Sequence, residues 1–354
     1  MHRPFLFLLM AMFLMACTST PTNAQGESAD DLWVTYEGAA DLPGSGKHIV
    51  LVSGDDEYRS EEALPQLGKI LATQHGFTCT VLFAIDPDTG FIQPDYQTNI
   101  PGLEHLEDAD LMVLGLRFRD LPDDQMVHID NYLQRGGPVI GMRTSTHAFN
   151  IRSSNTYKRY TFNFREGDWD GGFGRFILGE TWINHHGHHK HESTRGITAP
   201  GSEDHPINRG IEPGSIWGPT DVYGVRLPQP EGCDPIVLGA VLTGMDADDD
   251  VLDGPKNSPM MPVAWTKPYQ IEGGEQGTCF TTTMGSATDL EAEGTRRMIV
   301  NAAYYLLEMD VPEGGTSVDL VGDFDPSQYG FGAAQPNKDG YITGRVPSDY
   351  ALED

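Results

Sequence analysis

Five of the twelve histidines in this chain fall within seven positions, as His185, His186, His188, His189 and His191 in the stretch Trp-Ile-Asn-His-His-Gly-His-His-Lys-His-Glu. Imidazole changes charge near neutral pH and is the commonest protein ligand for transition metals. The run is interior and broken by Gly187 and Lys190, so it is not a purification tag. A metal set of His185, His186, His188 and His189, binding zinc or another divalent ion, is one expectation. A strand would place His186, His188 and Glu192 on one side, whereas a helix would group His185 with His188 or His189. Neither pattern is a recognised zinc spacing such as His-Glu-x-x-His. The competing expectation is a polar surface loop, because a short histidine-rich tract is a compositional signal only.

A second group of chemically capable residues follows three apolar runs. His48 to Ser53 leads into Asp55-Asp56-Glu57-Tyr58-Arg59, Asp110 to Leu116 leads into Arg117-Phe118-Arg119-Asp120, and Pro138 to Met142 leads into Arg143-Thr144-Ser145-Thr146-His147. These runs read as buried strands. The spacing predicts helices at Ser60 to His75, with Leu64, Leu67 and Leu71 on one face, and at Pro122 to Arg135, with Met126, Ile129 and Leu133 aligned. Thr78 to Ile85 is a further strand, and a short helix is expected around Leu103 to Leu106. Continuous apolar strands alternating with amphipathic helices predict an α/β fold: a parallel sheet with helices on both faces. Ligands of such sheets bind beyond the carboxyl ends of the strands. The three charged segments would therefore share one rim.

The second half is less regular. Pro235 to Leu242, Met261 to Thr266 and Thr278 to Thr283 read as strands, and Thr288 with Glu291 as a capping box opening a helix that runs to Met309. Residues 312–354 read as an irregular Gly- and Pro-rich tail that can pack on the domain. At the other end, Arg3, the short apolar run Phe5 to Leu14 and Leu-Met-Ala-Cys17 read as a signal peptide over 1–16 with a bacterial lipobox. Cys17 would be lipidated, and 17–46 would be the lipidated terminus and a flexible tether. These features predict a lipid anchor in the bacterial cell envelope, in the periplasm or at the outer membrane. A formal charge of -29 argues against nucleic acid as a partner. Cys79, Cys233 and Cys279 are too few and too scattered for a disulfide framework.

From about Lys47 to Met309 the chain resembles the ThuA-like (trehalose-utilisation) family, whose fold is similar to class I glutamine amidotransferases and is flavodoxin-like. The resemblance rests on Gly54-Asp55-Asp56-Glu57, on Gly137-Pro-Val-Ile-Gly-Met-Arg143-Thr-Ser-Thr-His147-Ala-Phe149, on Gly179-Glu-Thr-Trp-Ile-Asn-His185-His186 and on Asp204-His205-Pro206. It continues in Pro219-Thr-Asp221-Val-Tyr223, in Met261-Pro-Val-Ala-Trp265 and in Thr283-Met-Gly285. It makes 47–311 one ThuA-like α/β domain with an elaborated second half. The chain departs from the family where His often stands at Arg143 and Asp at His147. It also lacks the elbow cysteine of the amidotransferases, which argues against glutaminase chemistry. A Ser145–His147 nucleophilic pair lacks the Gly-x-Ser-x-Gly context that exposes such a serine.

The resemblance implies carbohydrate processing, in particular of keto sugars or glycosides, by hydrolysis, elimination or isomerisation. In this reading Asp56, Glu57 and His147 move protons, and Arg117 and Arg143 clamp oxygens or stabilise an enolate. Asp55, Arg59, Arg119, Thr144, Trp182, Asp221 and Tyr223 would contact a small carbohydrate. The alternatives are a non-catalytic carbohydrate-binding lipoprotein and a scaffold in an envelope complex.

Overall fold

A computed structural model describes residues 1, 32–334 and 339–352; the signal segment and the lipobox Cys17 lie outside the described residues. The apolar runs form one ten-stranded sheet. Its strands are β1 (Trp33–Tyr36), β2 (His48–Gly54), β3 (Thr78–Leu82), β4 (Leu111–Leu116), β5 (Val139–Met142), β6 (Thr194–Thr198), β7 (Trp217–Gly218), β8 (Asp234–Val241), β9 (Met261–Gln270) and β10 (Gln276–Thr282). Their spatial order is β1-β3-β2-β4-β5-β10-β9-β8-β6-β7. The five central strands β3, β2, β4, β5 and β10 are mutually parallel. Numbered among themselves along the chain they run 2-1-3-4-5, the flavodoxin-like order. The expected fold class is the one observed.

Helix α1 (Ser60–His75) and α4 (Glu293–Leu306) pack on one face, in a cluster with Ile49, Leu51, Val113 and Phe280. Helix α2 (Asp123–Gln134), the turn Leu103–Glu107 and the short α3 (Gly172–Phe176) cover the other, against Val50, Val52, Met112 and Leu114. Alternate residues of β2 and β4 thus go to opposite clusters, which is why both strands are apolar throughout. The second half adds an antiparallel extension through β9, β8, β6 and β7. No helix among the described residues is long and apolar enough to cross a membrane.

Two expectations need correction. Residues 33–36, assigned to the tether, are a strand paired antiparallel with β3, with Tyr36 buried. Thr288–Glu291 is a separate 3₁₀ turn, and α4 starts only at Glu293 behind Ala292, which offers no side-chain cap. Asp289 of that turn caps Gly285 and Ser286 instead, accepting their N–H groups at 2.8 and 3.1 Å. The irregular tail packs on the domain: Tyr329 is fully buried, and Arg59 Nη2 donates to Gly330 O at 2.7 Å. The free Cys79 and Cys279 are buried, and burial pushes both thiols well up, that of Cys279 to about 12.

His75 closes α1 and ties it to the tail. Its Nε2 lies 2.8 Å from Ser317 O and its Nδ1 2.9 Å from the Tyr304 hydroxyl. Nε2 therefore donates to the carbonyl, and in the neutral ring Nδ1 accepts from the Tyr304 hydroxyl. Burial holds its pKa below the ordinary 6.5. The unfolded chain takes up that proton first, so this stabilisation is full above the ordinary value and lost as pH falls through the native one. Urea denaturation should show stability falling between about pH 7.5 and pH 5.5, with a shallower fall in His75→Leu. The variant should lose about 1–3 kcal/mol at neutral pH. An unchanged pH slope in His75→Leu would rule out this origin.

Candidate active site

In the central parallel strands the chain order reverses between β2 and β4, and the crevice beyond their carboxyl ends is where such sheets bind ligands. The segment after β2 turns sharply. Asp55 Oδ1 accepts the N–H of Glu57 at 2.8 Å and of Tyr58 at 3.2 Å, while Thr144 from the end of β5 donates to Oδ2. Asp55 and Thr144 thus fasten two strand ends together and have few contacts to spare for a substrate. The turn presents Asp56 and Glu57 towards Arg117, from the end of β4. Arg117 Nη1 meets Asp56 Oδ1 at 3.0 Å, and its Nε is 3.7 Å from Glu57 Oε2. Burial, followed by the charge of Asp55, lifts both carboxyls above the usual range, and Arg117 opposes the lift.

Arg143 stands at the centre. It is 1% exposed, and its guanidinium lies between the rings of Tyr223, at 3.8 Å, and Tyr58, at 4.4 Å. Nη1 donates to the carbonyls of Asp221 at 2.8 Å and Thr283 at 2.7 Å; Nη2 donates to Tyr58 Oη and Asp221 Oδ1, each at 3.0 Å. Arg143 therefore holds the site together and does not clamp substrate. Asp221, equally buried, carries a pKa well below the carboxylate range despite burial, because Arg143 and the imidazoles of His185 and His189 surround it.

Those imidazoles come from the histidine run, which the backbone folds over Asp221. His185 bridges Tyr223, and the N–H groups of His186 and Gly187 both donate to Val222 O, at 2.9 and 3.0 Å. A side chain at Gly187 would press within 3.1 Å of Asp221 Cβ and Val222 N, so the approach favours glycine. His185 Nδ1 lies 2.7 Å from Asp221 Oδ2, and His189 Nδ1 lies 3.0 Å from Oδ1. The far nitrogen of His189, Nε2, is 3.4 Å from Glu57 Oε1. The rest of the run points elsewhere. His186 Nε2 bonds Lys256 O at 2.7 Å, and His188 packs against His191 with ring centroids 4.2 Å apart. Of the expected metal set, only His185 and His189 converge, and their third partner is Asp221.

Several expected contacts lie outside this cluster. Arg59 and Arg119 are fully buried. Arg59 serves Asp56 O and Gly330 O, and Arg119 serves the carbonyls of Arg117, Pro94 and Tyr96. Neither guanidinium can reach a ligand. His147 is 3% exposed among Phe118, Trp182 and Tyr223. Its pKa is well below the ordinary value, through burial first and then Arg117 and Arg143, so it stays neutral. Ser145 Oγ donates to Leu114 O at 2.8 Å, which rules out the nucleophilic pair. Half-buried Trp182 lies between His147 and His185, at 5.5 and 5.7 Å.

The tail supplies residues that sequence reasoning did not place at the site. Tyr329 stacks on Tyr58 at 5.2 Å and lies 5.6 Å from the His189 ring. Gly330 N donates to Glu57 O at 2.8 Å, and exposed Phe331 covers Arg117 at 4.8 Å. Lys190 pairs with Asp339. Four residues at this rim, Arg59, Phe118, Arg143 and Lys190, have φ between 43° and 61° without being glycine. Each such conformation costs on the order of 1–2 kcal/mol, a cost that concentrates at functional sites. A groove of about 540 Å³ between α1 and the tail is lined by neither histidine nor cysteine.

Two solved structures are similar to this chain. Both are described as thua-like proteins. The one from Bacteroides uniformis ATCC 8492 is 14% identical, with a TM-score of 0.43, over 77% of this chain and 95% of its own. The one from Parabacteroides merdae ATCC 43184 is 14% identical, with a TM-score of 0.44, over 87% of this chain and 99% of its own. No family model and no curated protein matches the chain.

Removing one partner of a buried ion pair leaves the other charge stranded. Arg143→Met should therefore cost about 3–5 kcal/mol in denaturant unfolding. Arg165→Met, which breaks the exposed contact to Asp170, should stay within about 0.5 kcal/mol. Equal effects would refute the keystone role of Arg143.

Proposed function

We propose that this chain is an enzyme acting on small carbohydrates, of the keto-sugar or glycoside class, by acid–base chemistry at Glu57 and His189. One arrangement carries the reading: buried Asp221 fixes the Nδ1 side of His185 and His189, and His189 Nε2 faces Glu57 at 3.4 Å. A buried carboxylate that orients an imidazole sets its tautomer and leaves the far nitrogen to exchange protons. With Nδ1–H given to Asp221, His189 Nε2 bears a lone pair. The adjacent Glu57 carboxyl, raised above its usual range, can hold the proton that makes this contact attractive. Proton transfer to and from hydroxyls, or from carbon next to a carbonyl, needs such a pair.

The substrate class follows from the motif resemblance, which implies keto sugars. The residues at the opening suit a polyol: Asp56, Arg117 and His185 offer charged hydrogen-bonding groups, and Trp182 and Phe331 offer ring faces. Arg117 is the guanidinium placed to steady a developing oxyanion. The proposal also locates the protein in the bacterial cell envelope, anchored through Cys17.

The test is turnover of a panel of keto-glucosides, with product analysis. Glu57→Gln and His189→Ala should each lower kcat/KM by about 10²–10⁴-fold with little change in Tm. Saturable binding without turnover would transfer the site to the carbohydrate-binding alternative. Turnover indifferent to both substitutions would remove Glu57 and His189 from the chemistry.

A further inference from the structure

We propose that His185, His189 and Asp221 form a binding site for a divalent first-row transition ion, held by two imidazole nitrogens and one carboxylate. This deepens the preceding proposal, because the ion would occupy the same acid–base cluster. One donor atom from each residue can be chosen so that all lie within 4.8 Å of one another. The His185 Nδ1–Asp221 Oδ2 and His189 Nδ1–Asp221 Oδ1 separations are 2.7 and 3.0 Å. Donors on adjacent corners of a six-coordinate ion with bonds of ~2.1 Å lie ~3.0 Å apart, so small outward movements of the rings would admit it. Two imidazoles and a carboxylate leave other positions free for water or substrate oxygens.

Exposure gives the site a direction. Asp221 is buried, whereas the side chains of His185 and His189 are 35% and 26% exposed, so an ion arriving from solvent meets the imidazoles first. Charge favours its arrival. The chain carries a formal net charge of -29, and the cations nearest the cluster, Arg117 and Arg143, are already paired with Asp56 and Asp221. Binding needs no net loss of imidazole protons. Each ring moves its proton from Nδ1 to Nε2 and offers the freed Nδ1 lone pair to the ion. On His189 the relocated N–H then points at Glu57 Oε1, and the proton Glu57 held there is released to solvent, which leaves the carboxylate–histidine–metal relation that orients ligating imidazoles. Arg143 keeps its hold on Asp221 throughout.

The assignment separates members of the run that composition cannot distinguish. His186 is spent on Lys256 O, and the His188–His191 pair lies on the surface. Full-length protein, treated with chelator and dialysed, would be titrated with Zn(II) alone and with Co(II) alone, by calorimetry and by visible absorption. The wild type and the His188→Ala/His191→Ala double variant should each bind one ion per chain with equal affinity. His185→Ala and His189→Ala should bind more than about tenfold more weakly, and Glu57→Gln about 10–100-fold more weakly. Partial exposure of both histidines keeps the variants folded, which circular dichroism would verify. Absence of a one-per-chain site, or a loss that follows His188 and His191 instead, would overturn the assignment. Ion binding by a protein that turns over no carbohydrate would sink the enzymatic proposal and leave this one standing. Turnover by chelated protein that binds no ion would do the reverse.

Discussion

The contact between Arg143 and Asp221 decides whether the rest of the site can exist. Two opposite charges removed from water are costly unless each finds its full set of partners. Here the guanidinium reaches two backbone carbonyls, a tyrosine hydroxyl and the carboxylate, and is enclosed by two aromatic rings. The carboxylate has capacity left for two imidazoles. A single buried pair thereby joins the ends of β5 and β10, the turn after β2 and the histidine run. Because both partners are inaccessible, the pair positions the imidazoles around it and is not itself exposed to solvent.

Topology explains why these elements meet. Beyond the carboxyl ends of β2 and β4, their following segments diverge, and the gap is lined by whatever those segments carry. In this chain they carry Asp56, Glu57 and Arg117. The positive φ angles of Arg59, Phe118, Arg143 and Lys190 show backbone forced into uncommon conformations at four points around that gap. Asp55 and Asp289, each accepting backbone N–H groups, brace the turns after β2 and β10.

The periodic features of the sequence were legible and the convergent ones were not. Helix α1 was read over its observed bounds because Leu64, Leu67 and Leu71 repeat at helical spacing, and the apolar runs located the parallel strands to within a few residues. Strand β1 was missed because four residues beside a polar segment carry too little pattern, and its stability comes from pairing with β3. Charged residues after strands marked the rim where Asp56, Glu57 and Arg117 meet. Their type could not distinguish Arg117, which faces the opening, from Arg59 and Arg119, which tie loops to carbonyls. Within the histidine run the helical alternative grouped His185 with His189, but the selecting partner, Asp221, lies more than thirty residues later. Only the pairing of 185–187 with 222–223 brings them together. The tail gave no signal at all, since stacking of Tyr329 on Tyr58 has no local pattern.

That tail has a temporal consequence. The backbone of Glu57 is fastened by Gly330, and the neighbouring Tyr58 is covered by Tyr329. A polypeptide emerging from the ribosome can complete its parallel strands and several of its helices while this wall is still unmade. The wall over Glu57 and Tyr58 is therefore the last part of the molecule to be assembled, and an interrupted or clipped chain would lack it.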